Sequence, residues 1–327
     1  METARDVQAS IDGLIDSTWT FSTLVAAVEV GLADTLDSPS TGAEAAAKVG
    51  LSATVATALL DVLVSIGLVQ REDDRYQGSP GFREFLRASQ SEDILAWLRS
   101  AHWQSRAMVD AAHRGELRPG WEHTDPEILQ AQGRAGRASV HTLAAQVFPM
   151  LSGLQERLSS PGGNFLDIGL GVGVISIELC QIYPHLRVVG LEPGPVQAEE
   201  ARRNIAAAGL THRIEVRAQR LEDLADRDAY DLVYLPQVFM PVEVVKTGLE
   251  RILKALRPGG WISLVAFDAP GDGLTATTAR LRNVIWGGSP LSLDEVTSLV
   301  RSAGFEMVRA GGDPRSTIKG VVGQRPL

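Results

Sequence analysis

Apolar residues recur at threes and fours through the first part of the chain. Ile11, Leu14, Ile15, Trp19, Leu24, Val25, Val28 and Leu32 follow this spacing and predict a helix over residues 6–36. Trp19 and Phe21 lie in that stretch, whose apolar positions serve either as core or as a subunit interface. Two shorter helices with clear punctuation follow. Thr41 is placed to cap a helix over 43–49 that stops at Gly50, and Ser52 to cap one over 53–66 that stops at Gly67. Residues 68–70 and 76–78, separated by a charged turn over 71–75, read as a β-ribbon. Helix, turn, helix and ribbon in that order predict a winged helix. Residues 91–158 are helical in pattern, with breaks at Pro119-Gly120 and Asp125-Pro126, and residues 159–163 (Ser-Ser-Pro-Gly-Gly) are a linker.

Beyond the linker the period changes. An apolar run over 164–168 breaks into Gly169, Gly171 and Gly173, after which 174–180 takes up helical spacing. Strands are then predicted over 187–191, 213–217, 230–235 and 261–267. The helices between and after them are 198–208, 242–256 and 292–303, and segments 305–310 and 318–323 close the chain as a pair. Strands alternating with helices imply an α/β fold with a parallel sheet, whose ligand cleft lies at the carboxyl edge of the strands. The expected organisation is a mainly helical winged-helix domain over 1–90, a helical connector over 91–158 and an α/β catalytic domain over 159–327.

Composition narrows the partners. The chain has 327 residues, enough for two domains with cores of their own, and its 44% hydrophobic and 22% charged content is that of an ordinary globular protein. No apolar stretch is long enough to span a bilayer, and the N-terminal Met-Glu-Thr-Ala-Arg-Asp lacks the features of a signal peptide. The single cysteine, Cys180, excludes an internal disulfide and suits a reducing, cytoplasmic setting; its place after the glycine turn reads as core. A net charge of −9 gives no general attraction to nucleic acid. Residues 51–66, the helix that would enter a DNA groove, carry Asp61 as their one charge and no Lys or Arg. Neither nucleic acid nor membrane is an expected partner. His102, His113, His123 and His141 match no metal-ligand spacing, so no metal is expected.

The residues around the glycines carry the candidate chemistry. Asp167 stands two positions before Gly169, where it would repel a pyrophosphate and suit the ammonium end of an amino-acid-like cofactor. The pattern Asp167-x-Gly169-x-Gly171-x-Gly173 resembles motif I of the class I S-adenosylmethionine (SAM) methyltransferases. Glu192 follows the second strand, about twenty residues on, where a carboxylate takes both ribose hydroxyls; NAD enzymes share that feature. Gln219-Arg-Leu-Glu-Asp-Leu224 looks like the methyltransferase segment that holds adenine. The family often has Asp where Arg220 stands, which leaves the contact open among Gln219, Leu221 and Glu222 as well as Arg220. Leu235 and Pro236 leave the fourth strand beside the methionine end, and Arg257-Pro-Gly-Gly260 is a further family mark. The resemblance implies a Rossmann-like sheet, parallel with one reversed strand, and SAM as cofactor.

The N-terminal segments Ala27-Val-Glu-Val-Gly-Leu-Ala-Asp-Thr-Leu36, Ala45-Ala-Ala-Lys-Val-Gly50 and Leu59-Leu-Asp-Val-Leu-Val-Ser-Ile-Gly-Leu68 resemble the dimerisation domain of the small-molecule O-methyltransferases. That resemblance implies a homodimer in which this domain walls off part of the partner's active site. In the same family the connector lines the acceptor pocket. This makes Trp103, Arg134 and Arg137 candidate acceptor contacts, with Phe239 and Met240 after the fourth strand.

Methyl transfer from a sulfonium is a direct displacement in which alignment alone is worth ~7–11 kcal/mol. A base is needed only where the acceptor must lose a proton. The plant-type O-methyltransferases carry a His-Asp pair after the fourth strand, which falls here near Gln237-Val-Phe-Met240. That stretch has no histidine, and none occurs after His212. Without a base, a phenol of pKa ~10 forfeits ~4 kcal/mol near neutral pH. Either His141 supplies the base, or the acceptor is already nucleophilic: an amine, thioether, carboxylate or stabilised enolate. Gln237 can orient an acceptor but cannot take its proton, while Arg134 and Arg137 could hold an acidic one. The expected function is SAM-dependent methylation of a small molecule in specialised metabolism. Two alternatives are a SAM-binding enzyme that does not methylate, and a SAM-sensing winged-helix regulator, against which the uncharged second helix argues.

Overall fold

A computed structural model describes residues 4–88, 91–314 and 316–327. Residues 1–3, part of the N-terminal sequence read above, lie outside the described residues. The chain divides into two compact units, Met1–Arg106 and Ala107–Leu327, so the division falls inside the 91–158 segment.

In the N-terminal unit, helix α1 (Ala4–Glu29) buries only its second half, through Val25, Ala27 and Val28. Its first half carries an exposed stripe of Val7, Ile11, Leu14, Ile15 and Trp19, with Trp19 72% and Leu14 67% exposed. A 3-10 turn (Ala33–Asp37) and the short strand β1 (Ser40–Thr41) lead to α2 (Gly42–Val49). Thr41 opens α2 with a capping box: its hydroxyl accepts from the Glu44 N–H and the Glu44 carboxylate accepts from the Thr41 N–H. Gly50 closes α2 in the left-handed conformation. Ser52 caps α3 (Ala53–Ser65) by accepting from the Val55 N–H. Strands β2 (Val69–Glu72) and β3 (Arg75–Gly78) then form a hairpin, and β1 joins β3 on its other side. The hairpin is longer than the expected ribbon because Arg71, Glu72 and Arg75 are paired residues with solvent-facing side chains. Pro80 starts α4 (Pro80–Arg87) behind the Ser79 cap, and α5 (Ser91–His113) runs across the division between the units. Leu32, Leu36, Leu60, Leu63, Tyr76 and Phe82 form the core. Asp61, the one charge of α3, accepts from the Tyr76 hydroxyl at 2.7 Å and from Arg71 at 3.2 Å, both on the ribbon.

The second unit opens with α6 (Pro126–Ala135), capped by Asp125, then α7 (Arg137–Thr142) and α8 (Leu154–Ser159). The sheet elements follow as β4 (Asn164–Ile168), α9 (Val174–Ile182), β5 (Arg187–Leu191), α10 (Pro195–Ala207), β6 (Ile214–Arg217) and β7 (Tyr230–Pro236). After them come α11 (Val242–Ala255), β8 (Leu256–Phe267), α12 (Leu274–Ile285), α13 (Leu293–Ser302), β9 (Glu306–Gly311) and β10 (Ile318–Gln324). The seven strands lie in the order β6-β5-β4-β7-β8-β10-β9. The pairs from β6 through β8 are parallel, and β10 runs against both its neighbours, so the sheet is parallel with one reversed strand. Strand order turns at β4, which pairs with β5 on one side and β7 on the other; this is where an open α/β sheet leaves a crevice.

One face of the sheet packs on Leu158, Leu179, Tyr183, Leu186 and Ile205, with Cys180 buried among them. The other packs on Val245, Leu249, Ile252, Val296 and Val300. Strand β8 begins five residues before the expected strand. Arg257-Pro-Gly-Gly260 lies within it, beside a register irregularity against β7. A Cβ at Gly260 would lie 2.9 Å from the Arg257 carbonyl and 3.1 Å from that of Tyr230, which is why the close approach needs glycine there. Helix α12 was not expected. Its buried positions are Ala276, Ala279 and Asn283 while Leu274 is exposed, so it shows no apolar stripe. Among the described residues, no single helix is long and apolar enough to cross a membrane.

Candidate active site

Gly169, Gly171 and Gly173 all have positive φ, between 57° and 84°, and together turn the chain from β4 into α9. The N–H groups of Gly169 and Leu170 both donate to the Leu191 carbonyl at the end of β5. Glu192 follows directly. One of its oxygens accepts from the Gly171 N–H and the other from the Gly194 N–H, each at 2.8 Å. One carboxylate thereby ties together the two turns at the sheet's switch point. Burial raises the Glu192 pKa, and the two N–H donors oppose that shift.

Asp167 is 1% exposed and faces α9. Its Oδ2 accepts from the Ser176 hydroxyl at 2.7 Å, while its Oδ1 is buried without a hydrogen-bond partner. Burial pushes its carboxyl up to about 7; the Ser176 bond opposes the rise and the Glu192 charge adds to it. A buried, half-satisfied carboxylate of this kind is costly unless a cation comes near.

A cavity of about 400 Å³ runs along the carboxyl ends of β6, β5, β4 and β7. At the β6 and β5 end it is lined by Gln219, Arg220, Leu221, Glu222 and Glu192, and in the middle by the glycine turn. Leu129, Gln132, Gly133 and Gly136 of the α6–α7 segment form part of its wall. At the β7 end stand Tyr234, Pro236, Phe239 and Met240, with Trp121 from the segment before α6. The Phe239 ring stacks on Trp286 with centroids 5.0 Å apart, and Trp121 stands edge-on to Phe239 at 5.0 Å and to Trp286 at 6.0 Å. Arg220, Glu192 and Glu222, the charged side chains in the lining, come from the β6 and β5 end. The titratable side chain at the β7 end is Tyr234, whose pKa is raised by burial and by the Asp167 charge.

Two family models match the chain: a methyltransferase domain over residues 165–260 and an O-methyltransferase dimerisation domain over residues 13–87. The chain is a class I SAM-dependent methyltransferase that resembles the small-molecule O-methyltransferases. It is 29% identical over 306 residues to the N,N-dimethyltransferase OxyT of Streptomyces rimosus, covering 88% of this chain and 87% of that protein. It is 26% identical over 313 residues to a 3-hydroxy-5-methyl-1-naphthoate 3-O-methyltransferase of Streptomyces sahachiroi, covering 89% and 87%. Human N-acetylserotonin methyltransferase in complex with SAM has a similar fold, with a TM-score of 0.68, 18% identity and 100% of both chains covered. The cofactor of the methyltransferase is SAM. Its residues fit that molecule: the cavity has a carboxylate, Glu192, at a backbone-lined turn and an apolar β7 end, and the unpartnered oxygen of Asp167 is buried behind that turn.

Of the residues expected to bind cofactor, Gly169, Gly171, Glu192, Gln219, Arg220, Leu221, Glu222 and Pro236 line the methyltransferase cavity. Asp167 lies behind the wall. Gly173 packs toward Ala201 and Ile205. Leu235 is 0% exposed and points into the sheet core, because its neighbours Tyr234 and Pro236 occupy the cavity-facing positions of the strand. Phe239 and Met240, named above as candidate acceptor contacts, line the β7 end.

The other expected acceptor and catalytic residues lie elsewhere. Gln237 is 1% exposed and outside the lining; its amide donates to the Ser289 carbonyl at 2.9 Å, so it fastens a loop rather than facing an acceptor. His141 sits 2.7 Å from a Glu178 oxygen and Arg137 2.9 Å from the other, so both are turned onto α9. Arg134 is exposed and does not line the cavity. Trp103 belongs to the N-terminal unit, where it meets His102 edge-on. Trp121, Gln132 and Tyr234 also line the cavity, and none of them belongs to a local motif. Gly133 was a visible signal, since glycine inside a helix marks a close approach. A Cβ there would lie 2.4 Å from Val172 Cγ2 and 3.1 Å from Val174 Cγ2, so α6 presses directly on the glycine turn.

Proposed function

We propose that this methyltransferase acts on an amine nitrogen of a small, largely apolar molecule, by alignment and without a protein general base. The observation that carries the reading is the β7 end of the cavity: Trp121, Phe239, Met240, Pro236, Pro241, Val244 and a protonated Tyr234, with no carboxylate, imidazole or cation among the described residues that line it. When bound, SAM supplies a methyl group carried on a positively charged sulfur. Glu192 takes the ribose hydroxyls with its remaining lone pairs. Asp167 faces the ammonium group with its charge, and Leu221 and its neighbours enclose the adenine.

The acceptor end favours nitrogen on two counts. An apolar enclosure disfavours an ammonium and so holds an amine in its neutral, nucleophilic form. As the displacement proceeds, positive charge moves onto that nitrogen, where the faces of Trp121 and Phe239 stabilise it by about 0.5–2 kcal/mol. A phenol of ordinary pKa meets neither a base nor a cation there and keeps its ~4 kcal/mol penalty. The OxyT relative, an N,N-dimethyltransferase, supports nitrogen; the naphthoate relative keeps oxygen as the competing acceptor.

Labelled SAM incubated with matched amines, phenols and carboxylates, read by mass, tests this. Methylated amines are expected, with a pH–rate limb that follows the amine's own pKa. Efficient turnover of ordinary phenols with a limb that belongs to the enzyme would count against the reading. SAM left unconsumed by every acceptor class would favour the alternative of a non-methylating reaction. The matching dimerisation domain and the exposed stripe on α1 further support a homodimer acting in specialised metabolism.

A further inference from the structure

We infer that Gln197 is a positioning residue that latches the wall of the acceptor end to the donor-binding turn. Gln197 lies in the first turn of α10 and is 6% exposed. Its amide nitrogen donates to the His123 carbonyl at 2.7 Å. Its amide oxygen folds back over Gly194, where a Cβ would lie only 2.2 Å away. Gly194 is the residue whose N–H is held by Glu192. Gln197 is therefore packed on the same turn that the ribose carboxylate organises.

The other end of this strap is fixed at the opposite side of the cavity. The Gly120 N–H donates to the Ile285 carbonyl at 3.1 Å, and the Trp121 ring rests edge-on against Phe239. Residues 120–123 thus cross from the aromatic end to the donor turn, a span of roughly 10 Å. Trp121 lies between the two fixed points and forms cavity wall. A strap held at both ends sets the place of Trp121; a strap held at one end does not. The donor turn and the place of Trp121 are thereby coupled through one side chain.

The test uses the full chain and S-adenosylhomocysteine (SAH) as probe, and so does not depend on which acceptor atom is methylated. Release of radiolabelled SAH is followed by rapid filtration for the wild type, Gln197→Ala and Gln197→Glu. The glutamate keeps the side chain's shape and removes the donating N–H, and it carries the test if the alanine variant does not fold. Both variants are expected to release SAH about fivefold faster, the factor set by one neutral hydrogen bond. In the SAH complex, amide exchange in a peptide over 118–125, which contains the Gly120 reporter, is expected to rise in parallel. Exchange in a peptide over 164–174 is expected to stay as in the wild type. An unchanged release rate overturns the latch. So does an equal rise in both peptides, which would make Gln197 a general support of the donor site.

Discussion

The proposed place of Asp167 behind the donor ammonium predicts a proton-linked donor site. Its carboxyl is held up to about 7 by burial, with one oxygen unpartnered. Free aspartate ionises near pH ~4. The folded, ligand-free protein therefore binds one more proton than the unfolded chain between these values. The stability tied to Asp167 is largest at the acid end of that window and falls as pH rises through it, by of order 4 kcal/mol in the limit of full burial. Bringing the ammonium of the donor beside this carboxylate should lower its pKa by about two units. Near pH ~7 roughly half a proton is then released on binding, and SAH affinity should improve about tenfold between pH ~6 and pH ~8. Calorimetry in two buffers of different ionisation enthalpy measures the released proton directly. Asp167→Asn, of the same size and without the charge, should remove both the proton release and the pH dependence. Wild-type binding whose enthalpy is the same in both buffers across this range would refute the reasoning, as would an Asp167→Asn profile identical to the wild type.

Glu192→Gln turns one of two accepting oxygens into a donor that faces a backbone N–H at 2.8 Å. The loss of a charge-assisted bond should weaken SAH by about 1.5–3 kcal/mol in calorimetry, and unchanged affinity would take Glu192 out of the site. His141→Ala leaves Arg137 to pair with Glu178, so it should cost under about 1 kcal/mol in denaturant unfolding and leave turnover and its pH profile as they were. A hundredfold fall in kcat would make His141 the base after all. Trp19→Asp places a charge in the exposed stripe of α1 and should shift the protein from dimer to monomer in sedimentation at micromolar concentration; a wild type that already sediments as a monomer sinks the dimer.

What could be read from the sequence was set by local rules. The Thr41–Glu44 capping box, the Ser52 cap and the alternating strands are each specified within a few residues, and each formed where it was expected except for the early start of β8. The glycine turn and its carboxylates, the proposed donor end, are legible for the same reason: glycines that need positive φ, and carboxylates at strand ends, are positions along one chain segment. The places where the reading failed depend on a single residue of phase or on a distant partner. Leu235 and Pro236 are neighbours on one strand, yet one faces core and the other cavity. Gln237 turns to a carbonyl on the loop after α12, a helix with no apolar stripe to announce it. His141 stands in the right segment but on the face that meets α9.

The proposed acceptor end shows why such a site resists local reading. Its aromatic wall is made by Trp121 and Phe239, with Trp286 stacked behind Phe239, and the three lie in segments with no regular spacing between them. Pro119-Gly120 reads as an ordinary loop break, and Trp286-Gly287 belongs to no motif. In the folded chain they back onto each other: a Cβ at Gly287 would lie 3.1 Å from the Gly120 Cα, and Gly287 has a φ of 89°. A side chain at Gly287 would meet both a strained backbone and the strap that carries Trp121. The glycines next to the two tryptophans are therefore part of what holds the rings in place. An aromatic residue beside glycine in two distant loops is the one local trace that this wall leaves in the sequence, and only the fold says that the two loops meet.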